Sequence, residues 1–265
     1  MFKHFPAEAV YQIFALIFSV ILVHGAYVTV VRPNAEAKLA EQRALVAKQP
    51  DAAIEPSLYV ILKDYEQESE IILMLWAMAI LAYKWAFVLR ERGLLEEDLL
   101  PLAEGIKILP EDARRYEQPL QALKPALRNL LLPRAMFQAL TRFETTRGVQ
   151  DTASATSALC QNEGERLDSE LAQIRYIAWA IPSIGFIGTV RGISNAMGLA
   201  HRAVQGDISG VTENLGTAFN STLVALLLCL VLMFLVHQLQ LAQEPLVLDT
   251  ETYVNDRLIR HLRTS

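Results

Sequence analysis

The chain has 265 residues, 52% of them hydrophobic and 20% charged, with a formal net charge of −5 and a mean hydropathy of +0.26. That balance excludes an ordinary soluble domain, which carries more charge and fewer apolar residues. The mild negative charge also argues against nucleic acid as a partner. Cys160 and Cys229 stand far apart, so they offer neither a disulfide framework nor a metal-ligand spacing. No CxxC, HExxH, P-loop or GxSxG pattern occurs. No cofactor and no metal are expected, and the chain does not read as an enzyme.

A bilayer core about 30 Å thick takes roughly 20 apolar helical residues to cross, and four segments have that length. The predicted fold class is therefore all-α: a polytopic membrane protein with four transmembrane helices and long cytoplasmic helical extensions. The first span runs from Tyr11 to Val31 within a segment 1–34, and Tyr11 and Tyr27 are placed as interface anchors. Its apolar run exceeds a signal-peptide core and no small-x-small cleavage site follows, so it reads as an uncleaved span. An external loop, 35–70, leads to the second span, Ile71–Leu89, in segment 71–90. Lys84 in that span is expected to snorkel to the headgroups beside Trp85 and Arg90. The third and fourth spans, Ile174–Met197 and Leu215–Val236, make a core over 174–236.

Basic residues set the orientation. Segment 91–173 is rich in arginine, from Arg92 to Arg166, and the tail 237–265 adds Arg257, Arg260 and Arg263. The short link between the third and fourth spans has only Arg202. Positive-inside reasoning places the middle segment and both termini in the cytoplasm, with Lys3 in agreement. Pro101, Pro110, Pro119, Pro125 and Pro133 are expected to divide the first half of the middle segment into short helical pieces. From Arg134 to Gln173 a helix-tolerant stretch is expected to run straight into the third span. The fourth span continues to Gln243, Pro245 interrupts it, and Leu246–Leu262 follows as a further amphipathic helix. These helices are expected to project from the membrane, not to form a separate globular domain.

The informative chemistry lies in the last two spans. At roughly 100° per residue, Gly185, Gly188, Thr189, Gly192 and Ala196 share about a third of the third helix's circumference. On the fourth, Asn214, Thr217, Ala218, Ser221, Thr222, Ala225 and Cys229 share one side. Phe219, Leu223, Leu226, Leu227 and Leu230 occupy the other. Small residues permit close helix approach, with Gly185, Gly188, Gly192, Ala218 and Ala225 as packing positions. Hydroxyls can bond a carbonyl one turn back or line a narrow wet path. Arg191 lies roughly 100° from the centre of the stripe, as the end of the span, a salt-bridge partner or a charge site. No Asp or Glu occurs from Ile174 to Gly206 or from Leu215 to Gln243. A proton path needs a titratable group, so the carboxylate is expected from another polypeptide.

The run Pro182-Ser183-Ile184-Gly185-Phe186-Ile187-Gly188-Thr189-Val190-Arg191-Gly192-Ile193 resembles the signature of the MotA/TolQ/ExbB proton-channel family. Leu215 to Leu226 is similar to its companion motif on the next helix, and the two in order are more specific than either alone. The resemblance is strong over residues 170–240. It implies a pentamer-like ring, a homo-oligomer in the bacterial inner membrane, around a dimer of a single-span ExbD/TolR/MotB-like partner. That partner supplies a membrane aspartate, membrane lipids surround the ring, and the passage of protons (or sodium) drives movement of the partner relative to it. The motif match implies that Thr189 and Thr222 face the acid, with Ser221 and Thr217 as further candidates on the same stripe. Thr217 stands where the ExbB and TolQ branches usually carry a glutamate. The competing reading is a membrane scaffold or receptor in which the stripes only pack helices.

Overall fold

The computed structural model describes residues 7–48, 57–101 and 106–264. Lys3, which entered the orientation argument, lies outside them. Among the described residues the chain is helical, with one isolated parallel bridge between Ile108 and Leu262. The elements are α1 (Ala7–Ala26), a π-helical turn (Tyr27–Val31), α2 (Arg32–Lys48), α3 (Leu58–Leu62), α4 (Tyr65–Leu95), α5 (Ala113–Gln121), α6 (Pro125–Arg128), α7 (Leu131–Thr146), α8 (Val149–Gly198), α9 (Ala200–Val204) and α10 (Ser209–Arg257). A 3-10 turn, Ile259–His261, follows. Four helices among the described residues are long and apolar enough to cross a membrane, and they contain the four expected spans. The chain is an all-α polytopic membrane protein.

Two compact units partition the chain, and α4, α8 and α10 each contribute to both. The first comprises Met1–Ala82 and Gln173–Val236. In it, Pro33 explains the π-turn that joins α1 to α2. Proline cannot donate to the carbonyl four residues back and crowds it, so the helix widens there, and the Arg32 N–H reaches back five residues to the Tyr27 carbonyl. Segment 35–70 is helical over much of its described length, since α2 extends to Lys48 and α4 begins at Tyr65. Tyr11 donates its hydroxyl to the Ala79 carbonyl at 3.1 Å and is 37% exposed. Tyr27 is no interface anchor: it is 3% exposed, because the π-turn faces it inward.

The second unit comprises Tyr83–Ala172 and His237–Ser265. It has a hydrophobic core of its own, which corrects the expectation of helices without a globular domain. On α7, Leu132, Ala135, Met136, Ala139, Leu140 and Phe143 are all fully buried. Their spacing of three and four residues is that of one helix face. Leu94, Ile108, Leu120, Val254, Leu258 and Leu262 close around that face. The sequence reading missed this because no single stretch carries the core. Segments more than a hundred residues apart supply its two sides.

Two helix boundaries also differ from expectation. Pro245 sits inside α10, which continues to Arg257, while the Arg134–Gln173 stretch breaks at Arg147. Arg147 has φ of 52°, a left-handed conformation, and its N–H closes α7 by donating to the Phe143 carbonyl at 2.9 Å. Gly148 then starts the next turn. Lys84 does not snorkel: it is 5% exposed and pairs with Glu170 at 2.8 Å. A partner inside the unit removes the cost that the headgroups were expected to remove.

Candidate ion-pathway seam

The two small-residue stripes meet each other within the first unit. A methyl placed on Gly185 would stand 2.5 Å from the Cβ of Ala225, and one on Gly192 would stand 2.6 Å from the Cβ of Ala218. One on Gly188 would overlap the Ser221 hydroxyl. Glycine at these three positions lets α10 lie against the α8 backbone. Ala218, Ser221 and Ala225 are all at most 1% exposed. Residues one place away face outward, with Phe186 and Ile187 more than 60% exposed on α8, and Phe219 likewise on α10.

Close approach brings three hydroxyls together. Thr189 Oγ1 and Thr222 Oγ1 share a short hydrogen bond in which either can donate. Thr189 also reaches the Ala218 carbonyl at 2.9 Å, and Thr222 reaches the Gly185 carbonyl at 3.1 Å. Ser221 lies within 3.1 Å of the Ala218 carbonyl and 3.3 Å of the Gly185 carbonyl. Each hydroxyl has one proton to give, so the Thr189–Thr222 bond can run either way. In one direction Thr189 donates to Thr222 and Thr222 to the Gly185 carbonyl. In the other Thr222 donates to Thr189, and Thr189 to the Ala218 carbonyl or, at 3.3 Å, to that of Gly185. Rotation of the two threonine hydroxyls interconverts them without moving either helix. Thr217, half-buried on the same helix, makes none of these bonds.

A thiol completes a second contact between the same helices. Pro182 has no N–H, so the Ala178 carbonyl loses its helical partner. Cys229 Sγ donates to that carbonyl at 3.2 Å. A freed carbonyl in an apolar bundle needs such a replacement, so Cys229 is more than an inert small residue.

The last two spans carry no acid over 174–206 and 215–243, yet the seam has carboxylates of this chain beside it. They come from the start of α4. Glu66 pairs with Arg191 at 2.8 Å, and its Cγ would stand 3.1 Å from a methyl on Gly188. Arg191, 4.0 Å from Asp64 as well, thus pairs within its own chain. Glu70 Oε1 would stand 3.3 Å from a methyl on Gly185, and the Glu70 residue is fully buried. Glu68 turns to the other side, where it meets Arg32 and lies 2.7 Å from His24. The signal for these acids was in the sequence: Glu66 and Glu70 stand four apart, on one face of a helix leading into an apolar run. Assigning them to a loop concealed it.

Residues 128–252 match the MotA/TolQ/ExbB proton channel family. Comparison with curated proteins gives no match. The matched stretch contains both helices of the seam and ends inside α10. Members of this family are proton channels of energy-transducing motor complexes, work with MotB-, ExbD- or TolR-type partners in oligomers, and are not a known class of enzyme. With its four apolar helices the chain is a multi-pass protein of the bacterial inner membrane. That match, which takes in the paired small-residue helices, supports membership of the MotA/TolQ/ExbB proton channel family.

Proposed function

We propose that this chain is the ring-forming subunit of an ion-driven membrane motor, and that ions cross where its hydroxyl seam meets a single-span partner carrying a membrane aspartate. The observation that carries the reading is the reversible chain Thr189–Thr222, held between the Gly185 and Ala218 carbonyls. A seam needed only for packing gains nothing from two equivalent polarities. A seam that relays a proton uses them, since each transfer along the chain reverses its polarity. Each elementary charge falling through about 100 mV releases about 2.3 kcal/mol, enough for a few charges to reset a packed helix interface.

In this reading, outward apolar faces such as Phe186 and Phe219 meet lipid, a neighbouring copy or the partner helix. Protonation neutralises the partner's aspartate and lets it leave one polar stripe and cross apolar surface to the next. Thr189, Thr222 and Ser221 hold the ionised state, and Thr217 is a weaker member of the set. The ring is pentamer-like around a partner dimer, with the middle segment and both termini in the cytoplasm. The second unit, with its own core, would tie the ring together or pass force onward.

The test is Thr189→Val with Thr222→Val. Valine keeps the volume and removes both hydroxyls. Assembly is read by size and co-purification, and ion flux by a pH-sensitive dye in membrane vesicles. The expected result is at least a tenfold loss of flux in a normally assembled complex. Undiminished flux would favour the scaffold reading.

A further inference from the structure

Among the described residues, the buried side-chain polar atoms with no hydrogen-bond partner belong to Tyr27, Asp64, Gln67 and Glu70. Such atoms are rare in folded proteins, and here they gather at one end of the first unit. Two of these residues, Gln67 and Glu70, are fully buried and have both terminal atoms unpartnered. Both project from the first turns of α4, and Glu70 lies against Gly185, whose carbonyl anchors the hydroxyl chain.

The nearby cations are committed elsewhere. Arg191 pairs with Glu66, and Arg32 pairs with Glu68 while lying over the rings of Tyr27 and Tyr65. His24 also meets Glu68, so the charged and titratable groups around Glu70 are Glu66 with Arg191, Glu68 with Arg32 and His24, Asp64 and Tyr27. An ionised carboxylate enclosed without a hydrogen bond or a counter-charge is far costlier than a neutral carboxyl in the same place. A carboxyl so placed holds a proton.

We infer that Glu70 is a proton-carrying site belonging to this chain, set beside the hydroxyl seam. The inference rests on the conduction reading above and adds to it a titratable group on a helix outside the matched residues 128–252. The reaction is a proton exchange only: the carboxyl O–H breaks as its proton passes to water, and re-forms when water on the other side returns one. Glu66, paired with Arg191, takes no part in the transfer.

Two measurements on the full chain in its own membranes test this. Dicyclohexylcarbodiimide adds to a protonated carboxyl in an apolar site, and peptide mass locates the adduct. The expected adduct is on Glu70, slower at higher pH and absent in Glu70→Gln. Lack of an adduct on Glu70 overturns the inference, and so does protection by sodium at fixed pH, which would make the site a sodium site. Proton uptake is then compared in Glu70→Gln, Glu70→Asp and the Thr189→Val/Thr222→Val pair. Glu70→Gln should lose at least tenfold, and Glu70→Asp should recover part of it. Normal uptake in Glu70→Gln while the threonine pair loses it overturns the role of Glu70 and leaves the seam intact. Normal uptake in the threonine pair with loss in Glu70→Gln refutes the seam and supports Glu70.

Discussion

Replacing Gly185 by alanine adds one methyl where α4, α8 and α10 converge. The new carbon would lie 2.5 Å from Ala225 Cβ and 3.1 Å from the Ser221 backbone carbonyl. Carbon–carbon contacts settle near about 3.5–4.0 Å, so α10 must retreat by roughly 1 Å. Neither obstacle is the end of a flexible side chain, so the helix itself has to move. Overpacking of this kind costs about 1–3 kcal/mol, partly offset by about 1 kcal/mol of better helix propensity in alanine than in glycine. The retreat also lengthens the Thr222 bond to the Gly185 carbonyl from 3.1 Å and the Ser221 bond from 3.3 Å. Both then pass the limit of a useful hydrogen bond, so flux should fall more than stability does. Unfolding in detergent with a denaturant series reads the first effect, and vesicle flux reads the second. Gly185→Ala combined with Ala225→Gly removes the nearer clash and should restore most of the stability. A Gly185→Ala chain with wild-type stability and wild-type flux would refute the close-packed seam.

Two further outcomes follow from single contacts. Cys229→Ala leaves the Ala178 carbonyl without its thiol donor, at a cost of about 0.5–1.5 kcal/mol, whereas Cys229→Ser supplies a stronger donor and should match or exceed the parent. The shift in unfolding midpoint measures it. In the second unit, both oxygens of buried Glu91 accept the Leu131 N–H, at 2.8 and 3.0 Å, at the start of α7. Glu91→Ala orphans that amide and should destabilise the unit by about 1–3 kcal/mol, while Glu91→Gln keeps an acceptor and recovers most of it. Hydrogen exchange of the Leu131 amide reads the loss directly.

Properties that depend on neighbours along the chain were legible in the residues alone. Span length and apolarity are local sums, and the small stripes at Gly185–Gly188–Gly192 and Ala218–Ser221–Ala225 are angular facts about single helices. The family signature is a local string for the same reason. What needed the tertiary structure was every pairing between distant segments. Only packing shows that Thr189 and Thr222 share a hydrogen bond, that Cys229 serves the carbonyl freed by Pro182, or that Lys84 meets Glu170 and not the headgroups. Proline also reads differently in three dimensions: Pro33 widens a helix into a π-turn, while Pro182 and Pro245 are carried within helices that continue past them. The acids at Glu66 and Glu70 make the sharpest case. Their identity and four-residue spacing are written in the chain, yet their meaning depends on which helix they face. Burial and the absence of a counter-charge are properties of the surroundings, and segments more than a hundred residues away supply those surroundings.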